Sequence, residues 1–196
     1  MEEEKMTNRQ KKALETKDKI YDAAMAKFSE KGLERTSIQE ICREAKVSIG
    51  SFYNHFASKE EIIYEIFRRA DLNFEQFKDV DVEERGIRNL ILDYMDYYVS
   101  FVQTNDIRFT KSFYSTSNHY FVQEKRPMQE VLKSILKEQN LKLNAYYVED
   151  ADMLVDRLFM VSRGVIFHWC LKDGDFDLNE MNRKQMEMVL EVSLEK

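Results

Sequence analysis

One proline and five glycines are all that 196 residues contain of the two amino acids that most readily reverse a chain. Folds made of many short strands need such residues at every turn, and disordered segments are enriched in them. A chain so poor in both, with 43% hydrophobic and 34% charged residues, is expected to be all-α. Its length suffices to bury roughly 70% of its unfolded surface, in one large or two small domains.

The charges are unevenly spread. Residues 5–59 hold 12 Lys or Arg against 7 Asp or Glu, residues 60–196 hold 18 against 26, and Glu2, Glu3 and Glu4 add to the acidic side. The net charge of -6 thus conceals a basic module joined to an acidic one. Only the basic one is suited to meet phosphates. The charged start, Met1 to Lys12, is not a secretory signal, and the most apolar run, residues 164–171, is far too short to span a bilayer. Cys42 and Cys170 form no C-x-x-C or zinc pattern, which fits a reduced, cytoplasmic protein without metal or other cofactor.

Helix starts are well marked in the basic module. From Asp18, the residues Ile20, Ala24 and Phe28 recur every fourth position, and Gly32 follows as a C-terminal cap. Ser37-Ile38-Gln39-Glu40 is a capping box, opening a second helix with Ile38, Ile41, Cys42 and Ala45 on one face. Lys46-Val47 makes a short turn, and Ser48 caps a very short third helix that runs to about His55. Ser58-Lys59-Glu60-Glu61 is a second capping box. Later helices are expected over about 59–78, 83–103, 106–116, 126–145, 150–172 and 180–195, with Pro127 in the first turn of its helix and Asp177 capping the last.

Two short helices joined by a tight turn, the second showing small and polar side chains, form the geometry that enters the major groove of B-DNA. Phe52 and Phe56, four apart, can anchor the third helix, while Gly50, Ser51, Tyr53, Asn54 and His55 lie on its other face. Gly50 permits close backbone approach, Ser51 and Asn54 can bond base edges or phosphates, and Tyr53 and His55 suit phosphate or sugar. Ser48 opens this helix, and Thr36 and Lys59, at the starts of the flanking helices, are placed to hold backbone phosphates. Each residue alone is also compatible with packing; the ordered set carries the inference.

Residues 15–68 strongly resemble the N-terminal domain of the tetracycline-repressor (TetR) family of regulators. The matching elements are Ala24, Phe28 and Gly32, then Thr36-Ser37-Ile38, then the stretch from Gly50 to Phe56 leading into Ser58-Lys59-Glu60. The resemblance implies about nine helices, with a helix-turn-helix DNA-binding domain and its N-terminal arm over residues 1–58 and an effector-binding and dimerisation domain over residues 59–196. It also implies a homodimer on a palindromic double-stranded operator, acting as a repressor released by a small effector. DNA contacts fall by matching position on Thr36, Ser48, Gly50, Ser51, Tyr53, Asn54, His55 and Lys59. Ile49 departs from the Lys or small polar residue common in the family, so a thymine methyl replaces phosphate or guanine as its possible contact.

In the acidic module, nine aromatics lie between Tyr94 and Phe121. A helical stripe of Leu90, Ile91, Tyr94, Tyr98, Phe101 and Val102 accounts for several as core. The remainder exceed what one stripe can bury, and tyrosine hydroxyls orient ligands in apolar pockets. Tyr97, Phe101, Phe113, Tyr114 and Tyr120 are therefore assigned to a pocket for a small, largely apolar effector. Asp93 and Asp96 leave a cationic ligand open, although charges at this spacing are more often a solvated face. The segment 150–172 carries one stripe of Ala151, Leu154, Val155, Leu158, Phe159, Ser162, Val165, Ile166 and Trp169 and a second of Met153, Met160, Gly164, Phe167 and Leu171. A helix apolar on two faces needs two partners. A second subunit is the expected one, met also by Met186, Val189 and Leu190 of the last helix.

An enzyme finds little support: there is no Gly-rich phosphate loop, no H-E-x-x-H, no G-x-S-x-G and no Glu-x-x-His pair. His168 and Cys170 point to different faces of a helix and make poor co-ligands. The remaining rival is a helical protein-interaction module without effector response.

Overall fold

The structure, a computed structural model, describes residues 7–104, 107–114, 126–139 and 141–195. Among them ten α-helices and one 3-10 helix form, no strand does, and no helix is long and apolar enough to cross a membrane. Contacts divide the chain into two units, Met1–Ile66 and Phe67–Lys196, a division that falls within a helix and not between residues 58 and 59.

The first unit holds α1 (Asn8–Lys31), α2 (Ile38–Ala45), α3 (Ile49–Tyr53) and the start of α4 (Lys59–Leu72). α1 begins ten residues before the expected Asp18, where Thr7 and Gln10 form a capping box. Its first turns bury nothing, so no apolar period announces them. Gly32 ends it at φ 84°, its N–H donating to the Phe28 carbonyl. Ile20, Ala24 and Phe28 of α1, Ile41 and Cys42 of α2, and Phe52, Phe56 and Ile62 are all buried, and α2 packs on both α1 and α3.

α2 starts at the anticipated box: Ser37 Oγ accepts from the Glu40 N–H at 3.3 Å, and the Glu40 carboxylate accepts from the Ser37 N–H at 2.9 Å. The box at α4 closes differently, since Ser58 accepts from the Glu61 N–H but the Glu61 carboxylate reaches Ala57.

In the second unit, a 3-10 helix (Asn73–Asp79) replaces the last turns expected of α4. Gly86, at φ 78°, breaks the expected 83–103 helix into α5 (Val82–Arg85) and α6 (Ile87–Gln103). α7 (Ile107–Phe113), α8 (Pro127–Glu138), α9 (Ala151–Leu171) and α10 (Leu178–Ser193) follow. α8 stops well before residue 145, because residues 142–144 turn to bond the backbone after α10, with Asn144 N–H donating to the Ser193 carbonyl. α6 is the centre, burying eight side chains from Leu90 to Val102 and packing against α9 and α10; α8 covers the 3-10 helix and α9. Gly174 is required between α9 and α10, because it sits at φ 82° and a Cβ there would lie 3.2 Å from the Trp169 ring.

The α2 cap gives a pH test. The Lys31 ammonium first, and then the Ser37 backbone N–H and hydroxyl, hold the Glu40 carboxyl down from 4.5 to about 2. A depressed folded value stabilises the fold fully above pH 4.5, and that contribution is lost as the pH falls from 4.5 through about 2. Glu40→Gln is expected to lower the melting temperature at neutral pH and to flatten its decline across that window. Circular dichroism melts of both chains measure this.

Candidate nucleic-acid interface and effector cavity

α2 and α3 are joined by a turn in which Lys46 adopts the left-handed conformation, φ 57° and ψ 43°. The Val47 N–H returns to the Cys42 carbonyl at 3.0 Å, and Ser48 Oγ caps α3 by accepting from the Ser51 N–H at 3.0 Å. Phe52 and Phe56 are buried, which turns Ser48, Ile49, Gly50, Tyr53 and Asn54 outward and leaves Ser51 and His55 half-buried. A Cβ on Gly50 would meet nothing nearer than Ser48 Oγ at 3.9 Å. The chain's own packing therefore does not call for glycine there.

Thr36 and Lys59 serve the fold as well. Thr36 is buried, and its hydroxyl bonds the carbonyls of Gly32 at 2.8 Å and Lys27 at 3.3 Å. Lys59 Nζ donates to the carbonyls of Leu33 at 2.9 Å, Thr36 at 3.4 Å and Glu34 at 3.5 Å, tying the start of α4 to the loop between α1 and α2. Both line a surface groove with Gln39, Ile49, Tyr53 and Ser58. Gln39, exposed on α2, was not singled out in the sequence, because its spacing of three from Cys42 gives no helical signal that it points outward.

Of the residues assigned to the effector, Phe101 and Tyr114 line two adjoining narrow cavities of about 10 Å³ each, and Phe113 lines the second. Tyr97 lies elsewhere, edge-on to Phe74 and Phe77 at 5.0 and 5.7 Å, and Tyr120 falls outside the described residues. Phe67, Tyr98, Asp71 and Arg126 complete the walls without having been anticipated. Asp71 and Arg126, 55 positions apart, form an ion pair at 2.8 Å that is almost wholly buried. The Tyr98 and Tyr114 hydroxyls lie 3.0 Å apart. Asp93 and Asp96 pair instead with Arg85 and Arg183, away from these cavities.

On α9 the second stripe stays outside: Met153, Met160, Gly164, Phe167 and Leu171 are exposed, Met160 and Leu171 to more than 60%. On α10, Met186 and Leu190 are wholly buried in their own core and Val189 is half-buried against it, so they are not surface residues. The apolar residues that α10 exposes are Met181, Met188 and Val192.

Residues 20–66 match the family described as bacterial regulatory proteins, tetR family. The chain is 26% identical over 203 residues to the HTH-type transcriptional regulator AcrR of Shigella flexneri, covering 93% of this chain and 91% of that one. The likeness is to tetR-family regulators, and the family match covers the helix-turn-helix segment. The A-factor receptor protein of Streptomyces griseus is 42% identical over 78 residues, 40% of this chain and 26% of the receptor. Several of the curated relatives are matched over only 26% to 48% of their own length. In fold, the chain resembles the transcriptional regulator FadR from Bacillus subtilis in complex with stearoyl-CoA, at TM-score 0.64 and 17% identity, covering 88% of this chain and 96% of that one.

The bonds of Lys59 give the first unit a test independent of DNA. Lys59→Met is expected to cost about 1 to 2 kcal/mol, the lower part of the range for hydrogen bonds from a charged donor because the side chain is part-exposed. Urea denaturation without DNA measures the change. A lysine serving phosphate alone would leave that stability unaltered.

Proposed function

We propose that this protein is a sequence-specific DNA-binding transcriptional regulator. It works in the cytoplasm as a homodimeric repressor, bound to a palindromic operator and released by a small, largely apolar effector. The observation that carries the reading is the outward face of α3. Its phenylalanines are buried, Ser48, Tyr53 and Asn54 are exposed beside the apolar Ile49, and Gly50 stands open with no internal reason to lack a side chain. The net positive charge of residues 5–59 supports the approach to phosphates. The free thiols of Cys42 and Cys170 fit a reducing compartment.

The exposed apolar surfaces of α9 and α10 support a second copy of the chain as partner. Two-fold symmetry then presents two copies of α3 to half-sites about 34 to 36 Å apart, one turn of B-DNA, or a multiple of it. The FadR neighbour with stearoyl-CoA supports a ligand within the second unit, and the cavities beside Phe101 and Tyr114 are where we place it. α4 is one continuous helix from Lys59 to Leu72, so a ligand that shifts its last turn has a rod through which to act.

Two outcomes test the reading. Gly50→Ala is expected to raise stability by up to about 1 kcal/mol, the helix penalty of glycine, while weakening operator binding. Asn54→Ala is expected to cost about 1 to 3 kcal/mol on the operator and far less on random DNA. Fluorescence anisotropy with both DNAs measures this, and unchanged operator affinity in both folded variants removes α3 from the interface. Separately, Phe167→Glu is expected to leave helicity intact and halve the sedimenting mass in analytical ultracentrifugation. A wild-type chain that sediments as a monomer refutes the dimer.

A further inference from the structure

The two cavities beside Tyr114 differ in chemistry. One ends on the Asp71–Arg126 ion pair, and the other is walled by Phe109, Phe113 and Thr110, while Phe67, Phe101, Val102 and Tyr114 are common to both. Together they form an aromatic passage with a charged end and an apolar end. It is closed as it stands: the Phe67 and Phe113 rings stack across it, and the space holds no more than about one water.

The ion pair is a poor device for stability alone, because withdrawing two charges from water costs about as much as their attraction returns. It is placed, however, at a junction. Asp71 lies in the last turn of α4, and Arg126 is the residue that precedes Pro127 at the start of α8. The guanidinium is held from several sides, by Asp71, by the Met128 sulfur at 3.5 Å and by the Phe67 ring at 5.9 Å. Beside it, burial pushes the Tyr114 phenol well above its ordinary value, so the Tyr98–Tyr114 pair stays a hydrogen-bond donor. Arg126 and Arg163 both set a positive field at that hydroxyl. Among the described residues that line the charged end, Asp71 supplies the carboxylate and Arg126, Tyr98 and Tyr114 carry donors.

We propose that the effector is an amphipathic carboxylate whose acid group takes the place of Asp71 on Arg126 while its apolar part parts the Phe67–Phe113 stack. The inference rests on the effector-responsive reading above and names the chemistry of that ligand. The site already holds a carboxylate on this guanidinium, so the exchange replaces like with like. The exchange also releases Asp71, and with it the clip that holds the end of α4 to α8. Ligand recognition and the signal are then the same event.

Decanoate, decanol and decyltrimethylammonium share a tail and differ in head group, and calorimetry with the full-length protein compares them. Decanoate is expected to bind at least about tenfold tighter than either, the worth of one charge-assisted hydrogen bond. Asp71→Asn removes the competitor and is expected to tighten decanoate binding. The neutral double variant Asp71→Asn with Arg126→Gln keeps a hydrogen bond at the junction and is expected to lose the preference for decanoate over decanol. Should decanol or the ammonium bind as well as decanoate and still release operator DNA, the carboxylate assignment falls while the effector reading stands. Failure of decanoate to bind, or weaker binding to the Asp71→Asn chain, also overturns the assignment. An operator complex indifferent to a bound amphiphile overturns the effector reading with it.

Discussion

A helix of five residues cannot hold itself in water, because the cost of nucleating the first turn is not recovered over so few hydrogen bonds. α3 therefore depends on Phe52 and Phe56, whose burial is worth about 1.5 to 3 kcal/mol each. Those two anchors orient everything on the opposite face. Once they are seated on α1 and α2, Gly50, Tyr53 and Asn54 have no direction left but outward. The left-handed Lys46 sets the angle at which the short helix leaves α2, at a backbone cost that glycine would have avoided. What surrounds α3 is fitted to keeping that geometry, including the Thr36 and Lys59 side chains that staple the preceding loop.

The second unit is governed by a different constraint. α6 buries Tyr94 and Tyr98 among its eight core residues, so their hydroxyls must find partners inside the protein. Tyr94 donates to the Met128 carbonyl, and Tyr98 pairs with Tyr114. With the Asp71–Arg126 pair they gather much of the unit's buried polar chemistry on the side where α4 ends and α8 begins. The opposite side of α6, against α9 and α10, is packed mainly with aliphatic, methionine and aromatic side chains.

Helical phase separates the two faces of α9 and α10. On α9, Leu154, Leu158 and Ile166 face the core while Met160, Gly164 and Phe167 face out. On α10 a displacement of two residues is enough to reverse direction, since Met186 and Leu190 are wholly buried but Met188 and Val192 are exposed. An apolar residue near the end of a chain is not for that reason a surface residue.

Much of this was legible in the residues. The scarcity of glycine and proline, the box at Ser37, the caps at Ser48 and Asp177 and the four-residue spacing of Phe52 and Phe56 act over a single turn of helix, so local sequence suffices to read them. The early start of α1 at Thr7 was equally local, but its turns bury nothing and carry no apolar period. Gly86 was passed over because a lone glycine is tolerated inside a helix as readily as it ends one. The phase of α10, the turning of Tyr97 toward Phe74 and Phe77, and the meeting of Asp71 with Arg126 were decided only in three dimensions. A helical pattern shows that a side chain belongs to an apolar face. Which neighbour covers that face, and which distant charge is drawn into it, depends on how the helices pack, and no local period records that.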